Sequence, residues 1–245
     1  MGILLNSDLG ESFGSWTMGM DDKIMPLIDM ANIACGFHAS DPLVMQHTVA
    51  LAKENNVRIG AHPGYPDLVG FGRRSMNCSK EEIEAFVIYQ CGALAGVCKS
   101  QGVNVRYVKP HGALYNDIMK DEKVFMAIAS AIARYDNTLP LMILSTNDNA
   151  TYQERVKPLG IELIFEVFAD RGYTDEGLLV PRTEEGALIH ESETVIERIK
   201  LLESEGALIT RSGKKIAMQA DSMCVHGDNA QALALVASLR EFLDQ

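Results

Sequence analysis

Short apolar runs recur along the chain, separated by longer stretches with helical spacing. The runs at 3–6, 31–35, 57–61, 105–108, 141–144, 163–168 and 216–219 predict seven strands. Most are apolar on both faces, as in a parallel sheet covered on each side. Helical patterns fill several of the gaps, at 41–55, 121–135, 191–203 and 229–243. The clearest begins after Ser79. There Ser79-Lys80-Glu81-Glu82 is a capping box, with Glu82 placed to reach back to the cap amide. Ile83, Phe86, Val87, Cys91, Leu94, Val97 and Cys98 follow at helical intervals, and Gly102 stands just past the predicted end. Strands alternating with helices predict an α/β fold, either a closed β/α barrel or an open doubly wound sheet. A G-x-G-x-x-G turn is missing, which favours the barrel. No low-complexity tract or Pro/Ser linker marks a boundary, so residues 1–245 are expected to form a single domain.

The polar residues fall after the strands. The first strand is followed by Asn6-Ser7-Asp8-Leu9-Gly10-Glu11, the second by Gly36-Phe37-His38, and the third by His62-Pro63-Gly64-Tyr65-Pro66-Asp67. Lys109-Pro110-His111-Gly112 follows the fourth, Ala169-Asp170-Arg171-Gly172-Tyr173 the sixth, and Val225-His226-Gly227-Asp228-Asn229 the last. In a β/α barrel all these segments open on one face, and that face carries the active site. Four of the six histidines, His38, His62, His111 and His226, sit at such a strand end. His47 and His190 lie in or beside helical patterns and read as structural or exposed. Gly70-Phe71-Gly72-Arg73-Arg74 reads as a glycine-rich loop that brings cations close to a ligand.

Composition narrows the function. With 47 % hydrophobic residues the chain can fill a core. Its 22 Lys+Arg against 33 Asp+Glu give a net charge of −11, which argues against a nucleic-acid partner. No 18-residue apolar run predicts a membrane span, and the N-terminus has neither a signal-peptide pattern nor a myristoylation pattern. Five cysteines without a C-x-x-C suggest core thiols in a reducing, cytoplasmic setting. G-x-S-x-G and H-E-x-x-H are absent, and Gly213-Lys214-Lys215 lacks the remainder of a P-loop. What remains is a set of histidines, carboxylates and cations on one face. Such a set suits a hydrolase or lyase acting on a small anionic substrate.

Seven ordered segments resemble the LamB/YcsF family. They are N-S-D-L-G-E at 6–11, A-C-G-F-H-A at 34–39, G-A-H-P-G-Y-P-D at 60–67, F-G-R-R at 71–74, K-P-H-G-A-L-Y-N at 109–116, F-A-D-R-G-Y at 168–173 and V-H-G-D-N at 225–229. The resemblance implies a seven-stranded (β/α) barrel resembling the glycoside hydrolase/deacetylase superfamily. It implies an ATP-dependent 5-oxoprolinase activity, in which 5-oxo-L-proline, ATP and two waters give L-glutamate, ADP and phosphate. It also implies 5-oxoprolinase subunits B and C as partners and ATP as cofactor, with ATP binding carried by the family label for this subunit. On strand-end position, Asp8 and His62 would activate water, and His111 or His226 would protonate the ring nitrogen. Lys109 and Arg73 would hold a carboxylate or phosphate. Asp170 and Asp228 would orient the bases, and Asn6, Glu11 and Arg171 would line the substrate site. The deacetylase likeness adds a divalent metal on Asp8, His38 and His62. Two other functions remain open: a metal-dependent, deacetylase-like amide or carbohydrate hydrolase, and a non-catalytic protein that binds a small molecule.

Overall fold

The structure is a computed structural model that describes residues 2–244 except 182, 190, 227 and 228. Six strands follow the predicted order: β1 (Leu4–Leu9), β2 (Met30–Ala34), β3 (Arg58–His62), β4 (Val105–Val108), β5 (Leu141–Leu144) and β6 (Leu163–Phe168). Short strands β7 (Ala207–Ile209) and β8 (Lys215–Ala217) come next, then β9 (Ser222–Cys224). Strands β1 to β6 and β9 close into a barrel in sequence order, each parallel to its neighbours. All seven strand carboxyl ends therefore share one rim.

Two expectations are corrected. The run at 216–219 is not the seventh barrel strand. Within it Ile216 belongs to β8, which pairs antiparallel with β7 outside the barrel. The barrel closes instead through Ser222–Cys224, too short and too polar to show as an apolar run. It is polar because the interior needs it: Ser222 accepts a hydrogen bond from Asn6 at 2.8 Å and donates one to the Leu4 carbonyl. The first strand also runs to Leu9 rather than ending at Asn6, which places Asp8 on the barrel wall instead of a loop.

Inside the barrel the period-two alternation of strands sets the layers. Met30, Tyr107 and Met142 pack with Leu4 and Ile164 as a small apolar cluster, separate from the main core. Gly60 gives Tyr107 its place: a Cβ there would lie 2.2 Å from the phenol ring. Asn6, Asn32, Glu166 and Ser222 are also fully buried. The interior is thus apolar in part and polar in part, unlike the two-sided apolar strands expected.

Helices cover the outside: α1 (Asp21–Ile24), α2 (Pro42–Glu54), α3 (Lys80–Ser100), α4 (Gly112–Ile118), α5 (Glu122–Asp136), α6 (Asn149–Val156), α7 (Ser192–Glu205) and α8 (Ala230–Leu243). The capping box read from the sequence is made: Ser79 and Glu82 exchange both of its hydrogen bonds. The structure adds a second N-terminal cap at Asn229, on α8. On α5, Phe125, Ile128, Ala129 and Ile132 form one buried stripe. Burying each large side chain of that stripe contributes about 1.5–3 kcal/mol. All five cysteines are free thiols; Cys35, Cys91, Cys98 and Cys224 are buried as expected, whereas Cys78 is only half-buried. Among the described residues no helix is long and apolar enough to cross a membrane.

Candidate functional site

Loops at the carboxyl rim enclose a cavity of about 660 Å³. Asp8, Glu11, His62, Lys109 and His111 line it from β1, β3 and β4, and Arg171 and His226 from the far wall. Most of the expected site residues therefore meet in one place. Asn6 does not line the cavity. It lies below it, fully enclosed, and its side-chain oxygen accepts from Lys109 and Asn32. Asp228, and His190 among the histidines set aside, lie outside the described residues.

The first group is built on Lys109. Its ammonium pairs with Glu166 at 2.7 Å and Asp8 at 3.0 Å. Both Lys109 and Glu166 are buried. Tyr115 donates to the other Glu166 oxygen at 2.7 Å, and Asn32 donates to Asp8 at 2.8 Å. Burial alone would lower the Lys109 pKa, but Asp8, Cys224 and Glu166 outweigh it and hold the ammonium well above its usual value. Burial likewise opposes the Asp8 charge, yet His62 and Lys109 hold that carboxyl well below its usual range. Asp8 and Lys109 are thus both charged, and two carboxylates share one cation. Lys109 has little charge left for a substrate anion. Glu166 had one sequence signal, a lone charge within L-I-F-E-V-F; Asn32 and Tyr115 had none that stood out.

The second group is histidine-rich. His62 Nδ1 lies 2.7 Å from the Lys109 carbonyl, and His111 Nε2 lies 2.9 Å from that of Phe71. A carbonyl only accepts, so both of these nitrogens carry the proton. Their opposite nitrogens, His62 Nε2 and His111 Nδ1, then face each other at 3.0 Å. Glu11 Oε1 lies 3.5 Å from His111 Nδ1 and 3.3 Å from His38 Nε2. The ligand-type atoms of Glu11, His38, His62 and His111 all fall within 4.8 Å of one another. Burial, with neighbouring histidines, drives the His38 and His111 pKa values well below the usual imidazole value, so both rings are neutral. Burial pushes the Glu11 carboxyl up.

Local backbone holds this group. His38 stacks on His111, with ring centroids 3.6 Å apart and planes 2° from parallel. Phe71 adopts φ 54° and turns its carbonyl onto His111. Such a conformation costs on the order of 1–3 kcal/mol away from glycine, and it recurs where function holds it in place. Gly72 (φ 62°) lies against the stacked rings: a Cβ there would sit 2.7 Å from His38 and 2.8 Å from His111. The two arginines of this loop divide. Arg74 forms an ion pair with Asp67, while Arg73 lies over the Phe71 ring at 5.1 Å and lines the cavity.

On the far wall Asp170 pairs with His226 Nδ1 at 2.9 Å. Arg171 Nε donates to the Ala187 carbonyl, and its Nη2 donates to that of Val180. These bonds tie down the strap from Thr174 to Pro181, several of whose residues face the cavity. His47 is exposed beside Asp22, away from this set.

Fold and site together define a β/α-barrel protein with an enzyme-like arrangement of acids, imidazoles and cations at the strand carboxyl ends. The chain belongs to the LamB/YcsF family, whose model matches residues 3–245. It is 50 % identical over 241 residues to a Vibrio campbellii protein named as the A subunit of 5-oxoprolinase, covering 98 % of this chain and 95 % of that one. A Pseudomonas fluorescens protein of the same name is 51 % identical over 243 residues, with 99 % and 97 % covered. The crystal structure of a lactam utilization protein from Thermus thermophilus superposes with a TM-score of 0.93 at 40 % identity, covering all of this chain and 97 % of the other.

Proposed function

We propose that this chain is the A subunit of an ATP-dependent 5-oxoprolinase, that it acts as one unit over residues 1–245, and that it carries the hydrolytic half of the reaction. The observation that carries the reading is whole-length identity of about half to relatives of that name, in a chain whose strand-end motifs converge on one cavity. A five-membered lactam has little strain, so its ring opening has little driving force. Transfer of a phosphoryl group from ATP to the amide oxygen makes the ring carbon electrophilic. One water then adds to that carbon as the C–N bond breaks, and a second releases the phosphate.

The geometry suggests how the roles divide. Asp8 Oδ2 lies 3.3 Å from His62 Nε2, and His111 Nδ1 lies 3.0 Å from the same nitrogen, so these three groups suit water activation. His226, oriented by Asp170, suits protonation of the leaving ring nitrogen. Arg73, Lys120 and Arg171 line the cavity and offset the charge of an anionic substrate. Subunits B and C supply the phosphorylating step, and the working protein is cytoplasmic.

The test is glutamate release from 5-oxoproline by this chain with subunits B and C, with and without ATP. Glutamate appearing only with ATP and both partners is the expected result. None appearing, with partners active alongside a known A subunit, overturns the reading. Release of acetate from acetylated amides by the chain alone would put a deacetylase in its place.

A further inference from the structure

We propose that His62, His111 and Glu11 form a two-histidine, one-carboxylate site for a single divalent first-row transition-metal ion, with His38 as a positioning residue. This deepens the hydrolytic reading above, but the binding itself does not depend on the substrate.

Four observations point to it. First, His62 Nε2 and His111 Nδ1 face each other at 3.0 Å, and each ring has its N–H directed to a carbonyl on its other side. Two ring nitrogens at that distance need a positive centre between them, which a shared proton or a metal ion supplies. Second, the spacings fit. A metal–nitrogen bond of about 2.0–2.1 Å puts adjacent ligand atoms roughly 2.8–3.4 Å apart in octahedral or tetrahedral geometry. The observed separations are 3.0 Å between the two nitrogens and 3.5 Å from His111 Nδ1 to Glu11 Oε1. Third, the His62 and His111 planes stand at 87°, so both in-plane lone pairs can point at a common centre. His38 cannot join them in the same way. Its ring is parallel to His111 and 3.6 Å away, so no point lies in both ring planes. Fourth, each proposed ligand has an outer partner, as metal ligands do. These partners are the Lys109 carbonyl for His62, the Phe71 carbonyl for His111 and His38 Nε2 for Glu11 at 3.3 Å.

Two imidazoles and one carboxylate select a borderline dication such as Zn²⁺, Co²⁺ or Fe²⁺ over Mg²⁺ or Ca²⁺, which prefer oxygen. When bound, such an ion supplies Lewis acidity and lowers the pKa of a water. The carboxylate expected in this role, Asp8, has its Oδ1 held by Lys109 and Asn32; its Oδ2 lies 3.3 Å from His62 Nε2 and flanks the site on that side, outside the cluster that Glu11 joins.

The test uses the full chain, stripped with a chelator and titrated with Co²⁺ alone, followed by visible absorption, then with Zn²⁺ in competition. One Co²⁺ per chain is expected, displaced by one Zn²⁺. Glu11→Gln, which keeps the side chain's shape, and His111→Ala should each weaken binding at least about 100-fold. His38→Ala should weaken it about 10–100-fold, the range for an outer partner. His47→Ala, at an exposed histidine, should leave it unchanged. Urea unfolding of each variant separates lost binding from lost fold. Absence of Co²⁺ binding by the parent chain overturns the proposal. So does equal binding by a folded His62→Ala/His111→Ala double variant. A chain that binds Co²⁺ but yields no glutamate with its partners supports the metal site and overturns only the 5-oxoprolinase reading.

Discussion

Two polar groups share the barrel mouth, and they are built on opposite principles. Around Lys109 opposite charges meet directly: the ammonium contacts Glu166 Oε1 and Asp8 Oδ1, Tyr115 donates to the other Glu166 oxygen, and Asn32 donates to the same Asp8 oxygen as Lys109. Around His62 and His111 the directed contacts point outward to carbonyls, and the basic nitrogens turn toward each other. The first group is complete within the chain. The second brings ring nitrogens and a carboxylate oxygen together around a common point. Proteins satisfy buried polar atoms almost without exception, so the two patterns have different purposes. The Lys109 group joins β1, β4 and β6 and holds the wall. The histidine group presents that wall's chemistry to the cavity.

Breaking the Lys109 group should have the largest effect. Lys109→Met leaves Asp8 and Glu166 without their cation in a buried setting. Removing one partner of a buried ion pair costs about 3–5 kcal/mol. The urea midpoint should drop accordingly, and activity should be lost with it. The Lys109→Met/Glu166→Gln double variant should recover part of the stability but not the activity. A single Lys109→Met variant as stable as the parent would refute a structural role for this group.

His111→Ala should behave the other way. Turnover with the partner subunits should fall about 10²–10⁴-fold, the usual scale for an acid–base group. Stability should change far less, because the ring's one directed bond to the backbone runs to a loop carbonyl, that of Phe71. Parallel loss of fold and activity would erase the distinction between the two groups.

The two groups are unequally legible in the sequence. The rim can be read because each motif is local: a strand end, then His, Gly or Pro. Helix caps are equally local, as at Ser79. Lys109 and Asp8 are legible as strand-end residues, but their pairing with Glu166 and Asn32 is not, because Glu166, Asn32 and Ser222 lie within strands and face one another only when the sheet closes. Closure is a property of seven segments together, and no single run shows it. For the same reason β9 leaves no apolar run to find, whereas 216–219 presents one without joining the barrel. The four strand-end histidines share one local signature, yet three cluster and His226 pairs with Asp170 on the far wall. Spacing along the chain does not encode which strand ends face each other across a barrel.

Gly72 tests whether the histidine group depends on its backbone support. Gly72→Ala forces a side chain onto a left-handed residue, at a cost of roughly 1–2 kcal/mol, and presses a methyl group on His38 and His111. Turnover should fall more than this modest destabilisation accounts for. A loss of stability with unchanged turnover would show that the stacked rings tolerate displacement and that their geometry is not tuned.

The smallest effect is expected at the cavity's edge. Arg73 is exposed, so its attraction for a substrate anion is screened. Exposed ion pairs contribute about 0.2–1 kcal/mol, equivalent to at most roughly a fivefold change in affinity. Arg73→Gln should therefore raise KM for 5-oxoproline by no more than about that factor, leave kcat nearly unchanged, and matter less as salt is added. The split between the two constants carries the information. A fall in kcat at constant KM would mean that Arg73 meets charge developing in the transition state. The reacting carbonyl would then lie beneath the 71–74 loop, directly over the paired histidines. An unchanged KM and kcat would leave Arg73 outside the site and shift substrate capture to the far wall, where Arg171 is held by the strap.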